Sequence, residues 1–471
     1  MSLEKSPLES APRQTRLWRV GTLLYTPAAL VSLFLWLLWG DFAWSMRDRS
    51  VGPMAQWYLD HLCVPNFLFG LLISSFPALV GLVLGPIISV KSDRHRGPRG
   101  RRIPFLLATT PVGALGMIGL ALTPVLVPWL HGVASSPGGG WLPAFFRNET
   151  VLAIFCFGLF WAAFEFATIA ANAVFGGLVN DVVPAPLLGR FYGLFRAVSL
   201  VDGMVFQFWL MGKVPNHFTA ILLTIGFFYG VAFTWVCLKV KEGEYPPPPV
   251  ETRSSRPIQG FFSEAKRYGA ECFSHPYYFA IFLLMTTAAL AFGPINTFNM
   301  PYARSVGIGM ETYGKYLALT YLISLGLSFV LGWLADLFHP LRTTMAALAG
   351  YALVSAWGSL YAKTAETFLT AWVLHGVLSG CYFTSAASLG QRLFPRSRFA
   401  QFASAAGVCL SLGTMILGPL TGSIIDGSGN RYRYTFAIGC GLSLLALAAA
   451  CYVHGRFMKL GGPKHYMAPD A

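Results

Sequence analysis

Long apolar runs recur through this chain, and they decide most of what it can fold into. Each is roughly 20 residues or longer, enough to cross a hydrocarbon core of about 30 Å as a helix. Lipid offers the backbone no hydrogen bonds, so only helices and closed barrels span it. The period-2 alternation of barrel strands is missing from the sequence. Over 471 residues the chain is 55% hydrophobic and 11% charged, where a soluble domain is roughly a quarter charged. An all-α membrane protein with twelve transmembrane helices is expected. Six spans are placed at Val20–Met46, Pro65–Val90, Pro104–Leu130, Val151–Leu178, Leu188–Met211 and Thr219–Val240. Six more are placed at Tyr277–Asn299, Thr312–Leu337, Thr343–Ala362, Phe368–Leu393, Phe402–Ile425 and Tyr434–Val453, with breaks expected at Leu130–Gly140 and Met300–Glu311.

Charge gives the orientation, because inner loops collect Lys and Arg. With the N-terminus inside, 25 of the 34 Lys and Arg fall on the inner side and 9 on the outer. Both termini are therefore expected in the cytoplasm. The net charge of +14 then reflects attraction to an anionic inner leaflet, with no nucleic-acid partner. The polar stretch Met1–Arg19 and the length of the first run predict no cleavable signal peptide. Eight scattered cysteines without a CxxC pair suggest neither disulfides nor a metal site. The longest inner loop follows span six and divides the chain into a tail (1–19), a six-helix bundle (20–240), a central loop (241–276), a second six-helix bundle (277–455) and a tail (456–471). Within that loop, 261–268 reads either as an amphipathic surface helix or as plain linker.

Polar groups inside the spans are the functional candidates, since a charge there is costly. Trp161, Glu165, Thr168 and Asn172 are spaced 4, 3 and 4, so they share one helical face of span four. An aromatic ring, an acid, a hydroxyl and an amide on one stripe suit a polyhydroxyl solute, and Glu165 is the first choice for a proton carrier. The alternative is a protonated Glu165 bonded to a neighbouring helix. Span ten carries a matching stripe of Trp372, His375, Ser379 and Tyr382, in which His375 either carries a proton or packs. Asp202 in span five reads as a second proton site or as a partner of Arg196. Asp41 binds solute from an outer vestibule or pairs with Arg47 at the interface. Asn296 and Asn299 follow the Gly293-Pro294 break in span seven and read as solute ligands or as caps of the broken helix.

The loop Ser92–Phe105 packs five arginines into the pattern Ser-Asp-Arg-x-Arg-x3-Gly-Arg-Arg-x-Pro-Phe. A counterpart after span eight reads Gly332-x-Leu-Ala-Asp336, with Arg342 downstream. These loops resemble the signature of the major facilitator superfamily, whose fold is two bundles of six helices. The longer first copy is similar to that of the glycoside–pentoside–hexuronide cation symporters and the sucrose–proton symporters. Ser89 stands where the general signature has glycine. The resemblance implies cation-coupled uptake of a sugar or glycoside by alternating access. It also implies a conformational latch formed by Asp93, Arg94, Arg101 and Arg102, with Asp336 and Arg342 as repeat partners. The alternative is that these charges serve topology alone. Sodium-coupled members carry paired aspartates on the second helix, whereas span two has no acid between Pro65 and Val90. A hard cation wants carboxylate ligands, so a proton gradient is expected in preference to sodium, with no bound cofactor.

The expected partners are therefore a small-molecule solute and the lipid bilayer of the cytoplasmic (inner) membrane, with the chain a monomer. No nucleotide loop or metal-ligand spacing points to an enzyme. The rival readings are an exporter of an amphipathic compound and a non-transporting assembly factor on the same fold; pigment-complex assembly proteins have a related loop.

Overall fold

A computed structural model of the chain describes residues 17–136, 143–247 and 267–469, without the side chains at 328, 329, 332, 335, 336, 396 and 464. Among the described residues run twelve long helices. The first six are α1 Pro27–His61, α2 Asn66–Arg94, α3 Ile103–Ser135, α4 Glu149–Val182, α5 Leu188–Val205 with its π-helical continuation Phe206–Leu210, and α6 Val214–Lys239. After the central loop come α7 Pro276–Ser305, α8 Met310–Phe338, α9 Pro340–Tyr361, α10 Ala365–Ala386, α11 Phe399–Gly427 and α12 Tyr434–Lys459. A small antiparallel hairpin of β1 Trp18–Val20 and β2 Leu23–Tyr25 precedes α1. Of the piece 261–268, read as a surface helix or as linker, residues 261–266 lie outside the described residues.

Local chemistry starts these helices where they start. Thr26 caps α1 by accepting the Ala29 amide at 3.2 Å, and Asn148 caps α4 by accepting the Val151 amide at 3.1 Å. Thr364 and Thr367 form a reciprocal capping box at α10. Proline occupies the first turn of several helices, where its missing N–H costs nothing.

Span one needs the largest correction. The helix does not stop at Met46 but continues to His61. The charged triplet Arg47-Asp48-Arg49 looks like a membrane boundary in a hydropathy reading, yet it lies inside the helix because the bundle supplies partners for it. Two arginines counted as outer-loop charges are therefore intramembrane, and the outer side is still poorer in cations than the sequence count implied. The expected breaks also move: α3 runs on to Ser135 and α7 to Ser305. Span ten ends at Ala386, and Leu389–Leu393 is a separate short helix.

The two halves meet along α1, α2 and α5 on one side and α7, α8 and α11 on the other. Taking the arginine-rich end as inner, the polar contacts joining the halves cluster at the outer end. Arg304 of α7 pairs with Asp60 of α1 at 2.8 Å. Asp426 of α11 accepts the Asn66 and Phe67 amides and the Asn66 side chain at 2.8–3.1 Å. The Tyr432 hydroxyl donates to Asn66 at 3.0 Å. Glycines let α2 and α11 cross with their backbones touching: a Cβ on Gly418 would lie 2.8 Å from the Gly70 carbonyl oxygen. The outer end is closed.

Candidate solute-binding site

Inside that closure lies a cavity of about 320 Å³ between the halves. Its first wall comes from α1 and α5, through Arg49, Pro53, Gln56, Arg196 and Leu200. The facing wall comes from α7, α8 and α10. There Asn296 and Asn299 stand beside Tyr313, Trp372, His375 and Ser379.

The second wall is a connected network. α7 breaks at Phe292, between Pro276–Ala291 and Gly293–Ser305, which turns Asn296 and Asn299 toward the cavity. The Tyr313 hydroxyl donates to Asn299 Oδ1 at 2.9 Å, and its ring stacks on Trp372 with centroids 4.5 Å apart. The His375 ring is buried and bonds the Tyr351 hydroxyl through Nδ1 at 2.9 Å and Asn296 Oδ1 through Nε2 at 3.1 Å. His375 therefore ties α7, α9 and α10 together and fixes the amide that faces the cavity. Gln56 reaches across from α1 and donates to the Asn296 carbonyl at 3.4 Å.

The two sequence stripes fare differently. From span ten, Trp372, His375 and Ser379 line the cavity, while Tyr382 is buried against Phe292. From span four, none of the four residues lines it. Trp161 is buried and donates to the Leu72 carbonyl at 2.9 Å. That carbonyl belongs to a π-helical turn in α2, Leu71–Ser75, a local widening that leaves backbone groups needing partners. Thr168 is buried with its hydroxyl unpartnered, and Asn172 is exposed. Glu165 is buried in the first bundle within electrostatic reach of Arg47 and Asp48.

Arg47 centres this buried charge cluster. It is 1% exposed, bonds Asp48 at 2.7 Å and Tyr229 at 3.1 Å, and lies 4.0 Å over the Trp44 ring. Asp41 sits mid-helix, not in an outer vestibule, because α1 extends fifteen residues beyond Met46. Asp41 and Asp202 are both buried, each with one carboxylate oxygen lacking a partner, and both feel Arg49. Arg196 makes no ion pair with Asp202 among the described residues; it lines the cavity instead.

At the inner end, the arginine loop closes on its own bundle. Arg102 pairs with Asp93 at 2.6 Å and with Asp181 at 3.1 Å, and Arg101 pairs with Asp181 at 2.6 Å. Glu242, just after α6, accepts the backbone amides of Arg101, Arg102 and Ile103 at 2.7–3.0 Å. A carboxylate at the start of α3 is favoured by the helix dipole. Gly100, with φ +96°, leaves room for it, since any Cβ there would collide with Glu242. Asp181 also holds the Arg101 guanidinium firmly charged. In the second half Arg342 bonds His454 of α12 at 3.3 Å, and the Asp336 side chain lies outside the described residues.

Several of these residues escaped the sequence reading. Arg49, Pro53 and Gln56 are spaced 4 and 3 and form a stripe of the same kind as that in span ten. Extending span one past the charged triplet would have revealed it. Asp60, Arg304 and Asp426 carry no pattern, because each pairs across the two halves.

Comparison with known proteins follows the geometry. Residues 278–465 match the family model described as Major Facilitator Superfamily. Comparison with the curated proteins gives no match. A D-xylose–proton symporter superposes with TM-score 0.64 at 12% identity, covering 93% of this chain and 98% of its own. A nucleoside transporter gives 0.63 at 12% identity, covering 89% and 99%. A bacterial homologue of the human lysosomal transporter Spinster, inward-facing and occupied, gives 0.60 at 14%, covering 92% and 97%. This family and fold are those of transporters rather than enzymes. The chain is thus a multi-pass membrane protein with the twelve-helix major facilitator fold, and over residues 278–465 it carries the sequence pattern of that superfamily.

Proposed function

We propose that this chain is a secondary active transporter that carries a polar, hydroxyl-bearing solute, a sugar or glycoside, across the inner membrane with a proton. The observation that carries the reading is the cavity of about 320 Å³ between the halves, with the outer end shut by Asp60–Arg304 and Asn66–Asp426. Tyr313 and Trp372, stacked on each other and almost wholly buried, give the cavity an apolar wall for a sugar ring to pack against, and Asn296, Asn299 and Ser379 offer hydrogen bonds to its hydroxyls. The buried acids Glu165, within electrostatic reach of Arg47, and Asp202, within electrostatic reach of Arg49, are the proton carriers in this scheme. A charged acid inside the membrane is costly unless compensated, so gain and loss of a proton can accompany movement of the halves. His375 serves to hold Asn296 in place. The loop pairs Asp93–Arg102 and Asp181–Arg101 stiffen the inner end of the first bundle as it rocks.

The test is uptake of a labelled sugar panel into proteoliposomes with and without an imposed pH gradient, inside alkaline. Gradient-dependent uptake that is lost in Glu165→Gln or Asp202→Asn is expected. Uptake indifferent to the gradient would remove the proton from the scheme.

A further inference from the structure

We propose that the transported solute bears an anionic group, a carboxylate or a phosphate, and that Arg49 of α1 and Arg196 of α5 bind it. The inference rests on the solute-transport reading above and sharpens its substrate class. Both arginines line the cavity, and their charges lie within electrostatic reach of each other. Two like charges brought together inside a membrane are costly without a counter-charge.

The protein supplies none at close range. Among the described residues neither arginine makes an ion pair. Arg49 donates instead to the neutral Ser199 hydroxyl, at 3.2 and 2.9 Å, and lies 5.2 Å from the centre of the Tyr321 ring. No Asp or Glu lines the cavity among the described residues. Asp41 and Asp202, the buried acids within electrostatic reach of Arg49, are 6% and 1% exposed and do not line the cavity, and the adjacent Asp48 is paired with Arg47 at 2.7 Å.

A guanidinium presents a planar fork that matches carboxylate and phosphate oxygens in pairs. Arginines on the first half therefore hold the anionic end, while Asn296, Asn299 and the Tyr313–Trp372 stack on the second half hold the neutral body. A solute held at both ends touches both bundles, which ties occupancy to their relative position.

The test measures thermal stabilisation of the purified full-length chain by gluconate, glucose 6-phosphate, glucose and glucosamine at equal concentration and ionic strength. At least one of the two anions should raise the midpoint beyond glucose, and glucosamine should not. Which anion does so separates carboxylate from phosphate. Arg49→Gln and Arg196→Gln should weaken that anion by about tenfold or more, the scale of a lost charge-assisted hydrogen bond. Arg49→Lys and Arg196→Lys keep the charge without the fork, and they report on binding if a Gln variant fails to fold. Equal stabilisation by glucose, no stabilisation by either anion, or an unchanged response in the Lys and Gln variants would overturn the proposal. Proton-coupled uptake of a neutral sugar would overturn it while leaving the transport reading intact. Anion binding without any uptake would keep the site and remove the transport reading.

Discussion

The crossing of α2 and α11 makes the strongest single-residue prediction. Gly422 sits where α11 presses on the start of α2. A Cβ there would lie 2.6 Å from the Phe67 amide nitrogen and closer still to the Asn66 carbonyl group. These are backbone atoms at the head of a helix, so no rotamer change relieves the overlap; the helices must separate. Over-packing of this kind costs about 1–3 kcal/mol. The cost exists only while the outer ends touch, so Gly422→Ala penalises the outer-closed state and spares any state in which they part. A bias of that size shifts a two-state ratio by about 5- to 150-fold. Pulsed EPR between spin labels at Arg147 and Lys363, both exposed at the outer end of opposite halves, reads the shift directly. The Gly422→Ala distribution should lengthen relative to the parent. Gly441→Ala on α12, where a Cβ meets nothing within 4 Å, should leave it unchanged. A Gly422→Ala distribution matching the parent would refute the argument that this contact closes the outer side.

Three further outcomes follow from other contacts. Asp60→Asn removes the 2.8 Å partner of Arg304; because Arg304 is half exposed, the loss is about 1 kcal/mol, and the same EPR pair should lengthen, less than in Gly422→Ala. Glu242→Gln weakens a carboxylate that holds three amides at the start of α3, so it should cost about 1–2 kcal/mol and lower the thermal midpoint; Gly100→Ala, which intrudes on the same carboxyl group, should act in the same direction. Between α8 and α9, burial first and then the charges of Arg392, Arg342 and His454 push the His339 ring down to about 4. Its folded value lies below its unfolded one, so the unfolded chain binds the proton more readily. Stability should be complete above about pH 6.5 and decline as pH falls toward 4, and His339→Asn should flatten that part of the melting-versus-pH curve.

Much of the fold was legible because lipid permits so few solutions. Apolar runs of spanning length and the loop-by-loop bias of Lys and Arg were enough to place twelve helices. The rule failed at α1, where Arg47, Asp48 and Arg49 mimic a membrane edge. Beyond the local Arg47–Asp48 pair, their partners come from elsewhere in the chain, Tyr229 on α6 and Ser199 on α5, and no local reading sees them. The site was half legible for a similar reason. Helical spacing grouped Trp372, His375, Ser379 and Tyr382 on one face; the first three line the cavity, and Tyr382 packs on Phe292. The same spacing grouped Trp161, Glu165, Thr168 and Asn172, but periodicity does not say what a face meets. In α4 it meets α2 and the buried Arg47 cluster. The inner loop shows the limit in another form: its arginines were visible, whereas Glu242, which holds the loop's backbone, follows α6 far along the chain and carries no motif.

Proton movement during solute entry tests the central claim most directly. Pyranine trapped inside proteoliposomes reports internal pH when solute is added outside, with no imposed gradient and with potassium and valinomycin clamping the voltage. The account requires acidification of the lumen that scales with solute uptake and disappears in Glu165→Gln or Asp202→Asn. Solute accumulation with no change in pyranine signal would contradict it.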